Sequence, residues 1–197
     1  MIPSNDLSQV SDLSSNTRLS SYFKMTKPTI SLLVVLTVVP SLFISSQGYP
    51  SLLATFVTLF GTFLASSSAA MFNHLVDSDI DASMVRTSDR PIPAGQVNSK
   101  QAFVLALFLG IFSFSILYYY TTTLAAYIAL GANFFYVVVY TMYLKRRTDQ
   151  NIVIGGAAGA VGPLIGSAAV SGTISLEAWM LFTIIFLWTP PHFWALA

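Results

Sequence analysis

Asn73–Gly95 reads NHLVDSDIDASMVRTSDRPIPAG. It holds four of the eight acidic residues of the chain, Asp77, Asp79, Asp81 and Asp89, with Arg86 and Arg90 among them. Apolar segments with almost no charge lie on both sides. Carboxylates crowded at the end of a hydrophobic helix are costly unless they have a task, such as holding a metal ion. A solvated loop between two membrane helices is the plainer alternative, but its charges need no ordered spacing. Here Asn73, Asp77 and Asp81 fall at i, i+4 and i+8. On a helix they share one face, drifting by ~40° per step, while Asp79 points elsewhere. Two carboxylates and an amide oxygen on one face suit Mg²⁺, a hard cation that completes its shell with water and phosphate oxygens. Without a cation, carboxylates this close would repel and one would tend to hold a proton.

Composition sets the surroundings of this stretch. The 197 residues are 54% hydrophobic and 9% charged, against about 25% charged in soluble domains. Apolar runs reach the ~20 residues of a helical span. The reading is an all-α integral membrane protein. There is no cysteine, so disulfides and thiolate sites are excluded. A net charge of +1, without a basic run interleaved with aromatics, argues against a nucleic-acid partner.

About six transmembrane helices can be drawn: Pro28–Ser45, Ser51–Phe72, Ser99–Tyr119, Leu124–Leu144, Ile152–Ser171, and one from Leu176 onward. The nine basic residues all precede span one (Arg18, Lys24, Lys27), separate spans two and three (Arg86, Arg90, Lys100), or separate spans four and five (Lys145, Arg146, Arg147). The positive-inside rule therefore puts the N-terminus and both charged loops in the cytoplasm. The acidic stretch and Lys145–Arg147 then share one membrane face. Residues 1–24, polar and serine-rich, read as a disordered cytosolic tail and 25–197 as the membrane domain. The tail has neither the early apolar core of a secretory signal nor the arginine-rich, acid-poor composition of a transit peptide, and the expected location is a bacterial cytoplasmic membrane. Span five carries Gly155/Gly159 and Gly162/Gly166, two GxxxG pairs that suit close helix packing within one bundle, or a dimer seam.

Arg86 and Arg90 offer planar forks that match phosphate oxygens. Topology anchoring is the alternative for them, and a stronger one for Lys145, Arg146 and Arg147. Carboxylates beside arginines at a membrane face describe a diphosphate site, and a diphosphate in a membrane usually has a lipid tail.

Asn73–Pro91 resembles the first aspartate-rich motif, N-x-x-x-D-x-x-x-D, of the UbiA-type intramembrane prenyltransferases. Three stretches resemble the protohaem IX farnesyltransferase (haem o synthase) family within it: Asp79–Pro91, Tyr140–Gly156 and Trp188–Ala197 (WTPPHFWALA). The resemblance covers nearly all of the chain after Lys24. It implies a nine-helix bundle, with Mg²⁺ held at Asn73, Asp77 and Asp81. It gives Asp77, Asp81, Arg86 and Arg90 catalytic roles and diphosphate contacts to Arg86, Arg90, Lys145, Arg146 and Arg147. The implied reaction joins the farnesyl group of farnesyl diphosphate, with water, to a vinyl group of haem b, giving haem o and diphosphate. Haem is a substrate here, and His192 and His74 are the candidate haem contacts. Haem a synthase or a terminal oxidase assembly is the implied downstream partner. The family carries a second acidic motif after span six, where this chain stops. The expectation is a C-terminally truncated chain, inactive alone. A UbiA-type enzyme with an aromatic, quinone-precursor acceptor, a cation transporter and a non-catalytic membrane partner are the alternatives. A transporter would place such charges nearer the middle of the membrane.

Overall fold

The computed structural model describes residues 18–46 and 48–195, all helix, turn and loop without a strand. From residue 28 onward the helices are α1 (Pro28–Ser45), α2 (Leu52–Val76), α3 (Ser78–Ser83), α4 (Ser99–Tyr120), α5 (Thr123–Phe134), α6 (Asn151–Ala160), α7 (Gly162–Ser171) and α8 (Leu176–Ala195). A π-helical segment, Phe135–Tyr143, and a 3₁₀ turn, Leu144–Arg146, continue α5. Polar side chains start three of the spans. Ser51 caps α2 at Ala54 N, 3.1 Å; Asn98 caps α4 at Lys100 N, 2.9 Å; Thr122 caps α5 at Ala125 N, 3.1 Å. Each satisfies a backbone donor that the first turn leaves open.

Among the described residues, five helical segments are long and apolar enough to cross a membrane: 28–45, 52–76, 99–120, 123–146 and 151–171. The sixth expected span forms as a 20-residue helix, α8. Glu177, Pro190, Pro191 and His192 lie within it. The chain is an all-α, multi-pass membrane protein.

α2 is the most enclosed of the long single helices, with half of its apolar window buried. It packs on α4 through small residues. Ser113 donates to the Gly61 carbonyl at 2.7 Å, and Ser68 to the Ala106 carbonyl at 2.8 Å. A Cβ at Gly61 would sit 2.7 Å from Leu117 Cγ. Of the two GxxxG pairs, Gly162 and Gly166 form a packing seam, against Thr37, Val38 and Ser41 of α1. The seam is internal, between helices of one bundle. Gly155 instead faces Tyr140, and Gly159 opens onto a cavity. The helix is interrupted at Val161, and Pro163 opens α7.

The N-terminal expectation changes. Residues 18–25 are helical, so the segment read as a disordered tail over 1–24 is structured from residue 18. Met25 is fully buried with Met71, Val97, Ala102 and Ala106, and Tyr22 packs on the same cluster. Tyr22 also donates to Gln101 Oε1 at 2.9 Å. A few apolar side chains docked on the loop before α4 outweigh the polar composition of the segment. Residues 1–17 lie outside the described residues.

Candidate functional site: an acidic helix face enclosed by cations

The bonds Asp77 N to Asn73 O (3.0 Å) and Asp81 N to Asp77 O (2.8 Å) carry the helical register from α2 into α3. Asn73, Asp77 and Asp81 therefore stay on one face, as their spacing predicts, and all three are buried. Asp79 lies outside that face. Its side chain is 63% exposed and pairs with Arg146 at 2.8 Å, and these hydrogen bonds hold its carboxyl below the usual aspartate range.

Three cations converge on the buried face, Lys27 and Lys145 from distant parts of the chain and Arg90 from nine residues beyond Asp81. Lys145 pairs with Asp77 Oδ2 at 2.5 Å. Arg90 Nη1 donates to both oxygens of Asp81, at 2.8 and 2.7 Å. Lys27 Nζ donates to Asn73 Oδ1 at 2.7 Å, and Asn73 Nδ2 donates to Asp77 Oδ2 at 2.6 Å. Removing one partner of a buried charge pair strands the other, so this lattice is mutually dependent. Three cations against two carboxylates leave an excess positive charge at the helix end. An excess of that sign favours an anion.

Lys27 was not among the site residues legible in the sequence. Its charge before span one served equally well as a topology signal. The structure gives it φ +46°, the left-handed region, where a non-glycine residue is uncommon and points to a local function. Burial foremost, then the charges of Arg90 and Lys145, lowers its pKa from 10.5 to about 8. Thr141, also unanticipated, is fully buried. Its hydroxyl donates to the Tyr136 carbonyl five residues back, 2.9 Å, and receives Asn73 Nδ2 at 3.4 Å. That contact comes from the π-helical segment, a geometry that recurs at functional sites.

The other sequence-derived candidates fall elsewhere. Arg86 is exposed and makes no hydrogen bond or ion pair among the described residues. Arg146 braces the outer side, donating to Asp79 and, at 2.8 Å, to the Val76 carbonyl. Arg147 lies over the Tyr143 ring, 4.4 Å from its centroid. His74 is buried beside the acidic face, and neither ring nitrogen has a hydrogen-bond partner among the described residues. His192 is stacked on Trp188, with ring centroids 4.2 Å apart.

Among the described residues, buried Asp77 Oδ1 has no hydrogen-bond partner. An orphaned carboxylate oxygen is expensive; with Asp81 and Asn73, whose oxygens here accept from Arg90 and Lys27, it belongs to an all-oxygen set of the kind Mg²⁺ takes. Among the described residues no three His, Cys, Asp or Glu side chains cluster as a closed metal cage. A site of this kind leaves most of the shell of the ion to water and phosphate.

Behind Lys27 lies a cavity of about 110 Å³ between α1, α2, α5, α6 and α7, with six alanines, Tyr136 and the exposed Ile30 in its lining.

Residues 34–197 match the model of the UbiA prenyltransferase family. The chain is 48% identical over 174 residues to a protein named protoheme IX farnesyltransferase from Leptospira biflexa, covering 88% of this chain and 61% of that relative. It is 51% identical over 179 residues to a namesake from Gloeobacter violaceus, covering 91% and 59%, and 50% identical over 177 residues to one from Synechocystis, covering 90% and 56%. The chain thus spans about 60% of the length of these relatives. A structure of a UbiA homolog from Archaeoglobus fulgidus bound to DMAPP and Mg²⁺ superposes with a TM-score of 0.71 at 17% identity, covering 87% of this chain and 62% of that one. The helical arrangement, the acidic face and these matches agree, and the chain belongs to the UbiA prenyltransferase family.

Proposed function

We propose that this chain carries the diphosphate-binding half of a haem o synthase. In this reading the protein transfers the farnesyl group of farnesyl diphosphate to a vinyl group of haem b. The observation that carries it is the buried Asn73–Asp77–Asp81 face, enclosed by Lys27, Arg90 and Lys145 and adjoining an apolar cavity. Polar head and apolar tail each have a place. Sequence identity near one half to proteins named protoheme IX farnesyltransferase, over about nine-tenths of this chain, supports the choice of prenyl group and acceptor.

Asn73, Asp77 and Asp81 would hold Mg²⁺, through oxygens that include the orphaned Asp77 Oδ1. When bound, the ion supplies charge stabilisation to the departing diphosphate. Lys27, Arg90 and Lys145 donate to diphosphate oxygens as the allylic C–O bond breaks, which favours the transition state over the bound substrate. The alanine-lined cavity holds the tail and keeps water from the allylic cation, and the Tyr136 ring supplies an aromatic wall to it. His74 and His192 are the haem-contact candidates. The acidic face lies at the cytoplasmic surface of a bacterial inner membrane, and the product would pass to a haem a synthase or a terminal oxidase.

The test uses the full-length protein in membranes with Mg²⁺ and farnesyl diphosphate, offered haem b or an aromatic carboxylic acid. Mass spectrometry should show a hydroxyethylfarnesyl haem. Prenylation of the aromatic acid in its place would move the chain to another branch of the family, and no prenylated product from either would end the reading.

A further inference from the structure

A second cavity, of about 270 Å³, lies on the other side of the α2–α5 contact. Its walls include Leu107, Ile111 and Leu130, which are exposed on the outer surface of the bundle by 45%, 58% and 45%. It therefore opens toward the lipid. The central and outer cavities share three lining residues, Ala65, Ala129 and Asn133. Two are alanines with little reach. The third spans the gap: Asn133 Nδ2 donates to the Ala65 carbonyl at 2.9 Å.

Ala65 lies inside the continuous helix α2, where carbonyls already accept a backbone bond, so this carbonyl does not require the amide. The Asn133 Oδ1 atom has no hydrogen-bond partner among the described residues. A side-chain amide inside a spanning helix is costly and marks function more often than packing. Leucine has nearly the same shape and would fill the place without polar atoms. What asparagine adds is a directional tie between two helices at the one place where the cavities meet.

We propose that Asn133, tied to Ala65, is the wall that sets how long a prenyl tail the central cavity accepts. This rests on the prenyl diphosphate reading of the acidic face. With the head held at Asn73, Asp77 and Asp81, the tail runs into the central cavity and is stopped at the α2–α5 gap. Opening the gap joins the central cavity to the outer one and admits a longer tail. Narrowing it excludes tails that now fit.

The test measures binding of geranyl, farnesyl and geranylgeranyl diphosphate, and of inorganic diphosphate, to the full chain in detergent with Mg²⁺. Asn133→Ala should shift the geranylgeranyl-to-farnesyl affinity ratio upward by on the order of tenfold, the discrimination that a few methylenes give in an apolar pocket. Ala65→Leu should shift preference toward geranyl diphosphate by a similar factor. Both should bind inorganic diphosphate as wild type does. A merely structural tie would lower the melting temperature and leave the ratios alone, so ratios within twofold of wild type in both variants overturn the proposal. Should Asn133→Ala fail to fold, Ala65→Leu alone decides it. Wild-type protein that binds inorganic diphosphate but gains nothing from any prenyl tail overturns the prenyl reading, and the wall with it. A chain that prefers farnesyl diphosphate while the variants keep that preference removes the wall alone.

Discussion

Asp77 has one oxygen on Lys145 and Asn73 and another with no partner among the described residues, in a fully buried side chain. Asp77→Asn keeps the shape and removes the charge. It should leave expression largely intact and lower farnesyl transfer by about 100-fold or more, the scale of losing one electrostatic group at a transition state. Wild-type turnover in both Asp77→Asn and Asp81→Asn would refute the metal assignment. Lys27 meets Asn73 through Oδ1, the amide atom that would ligate Mg²⁺, so it competes with the ion: without diphosphate, Lys27→Met should raise Mg²⁺ affinity by on the order of tenfold, the scale of removing one like charge nearby. Lys27 also has a pH signature. Its pKa is lowered to about 8 in the fold from 10.5, so between those values the unfolded chain binds more protons and stability rises with pH. The strain is fully present below about pH 8. In metal-free protein, the melting temperature of wild type minus that of Lys27→Met should therefore increase from pH 7.5 to pH 10. A flat difference would contradict the depressed pKa.

At the scale of elements, the internal seam between α1 and α7 is set by Gly162 and Gly166. Side chains added there meet Thr37, Ser41 and the Val34 and Val38 carbonyls. Gly166→Val should cost about 1–3 kcal/mol by overpacking and lower the melting temperature in detergent. Gly131→Ala, where an added Cβ meets nothing within 4 Å, should stay near wild type. The π-helical segment places Thr141 against Asn73 and carries the chain on to Lys145. Thr141→Val removes the bond to the Tyr136 carbonyl and should destabilise by about 1 kcal/mol, with a larger proportional loss of Mg²⁺ affinity than of stability. Nothing in FYVVVYTMY announces a widened helix. Its β-branched and aromatic residues read equally well as an ordinary lipid-facing span.

For the whole molecule, three cations and two carboxylates that hold one another across the bundle make the site part of the fold. Ligands that bind the folded chain alone should stabilise it by mass action, about 2.7 kcal/mol at a hundredfold excess over Kd. Mg²⁺ with inorganic diphosphate together should raise the melting temperature of the full chain more than either alone. That gain should vanish in Asp81→Asn, and equal shifts in the two proteins would place the anion elsewhere.

Much of this was legible in local sequence. Apolar run length drew the spans, basic residues on alternate loops put the acidic stretch and Lys145 at one end of the bundle, and the four-residue spacing of Asn73, Asp77 and Asp81 drew one face of a helix. Each depends on helix geometry or on transfer to lipid, which nearby residues decide. Tertiary structure decided which cation meets which oxygen. Lys27 meets Asn73 across 46 residues of chain, and Lys145 meets Asp77 across 68. It also left Arg86 outside, packed the half-buried Tyr22 of a polar segment and the buried Met25 beside it against Val97, and set Asn133 between two cavities. Such pairings arise from how helices pack, and packing depends on side-chain shape across distant segments, which no local period records.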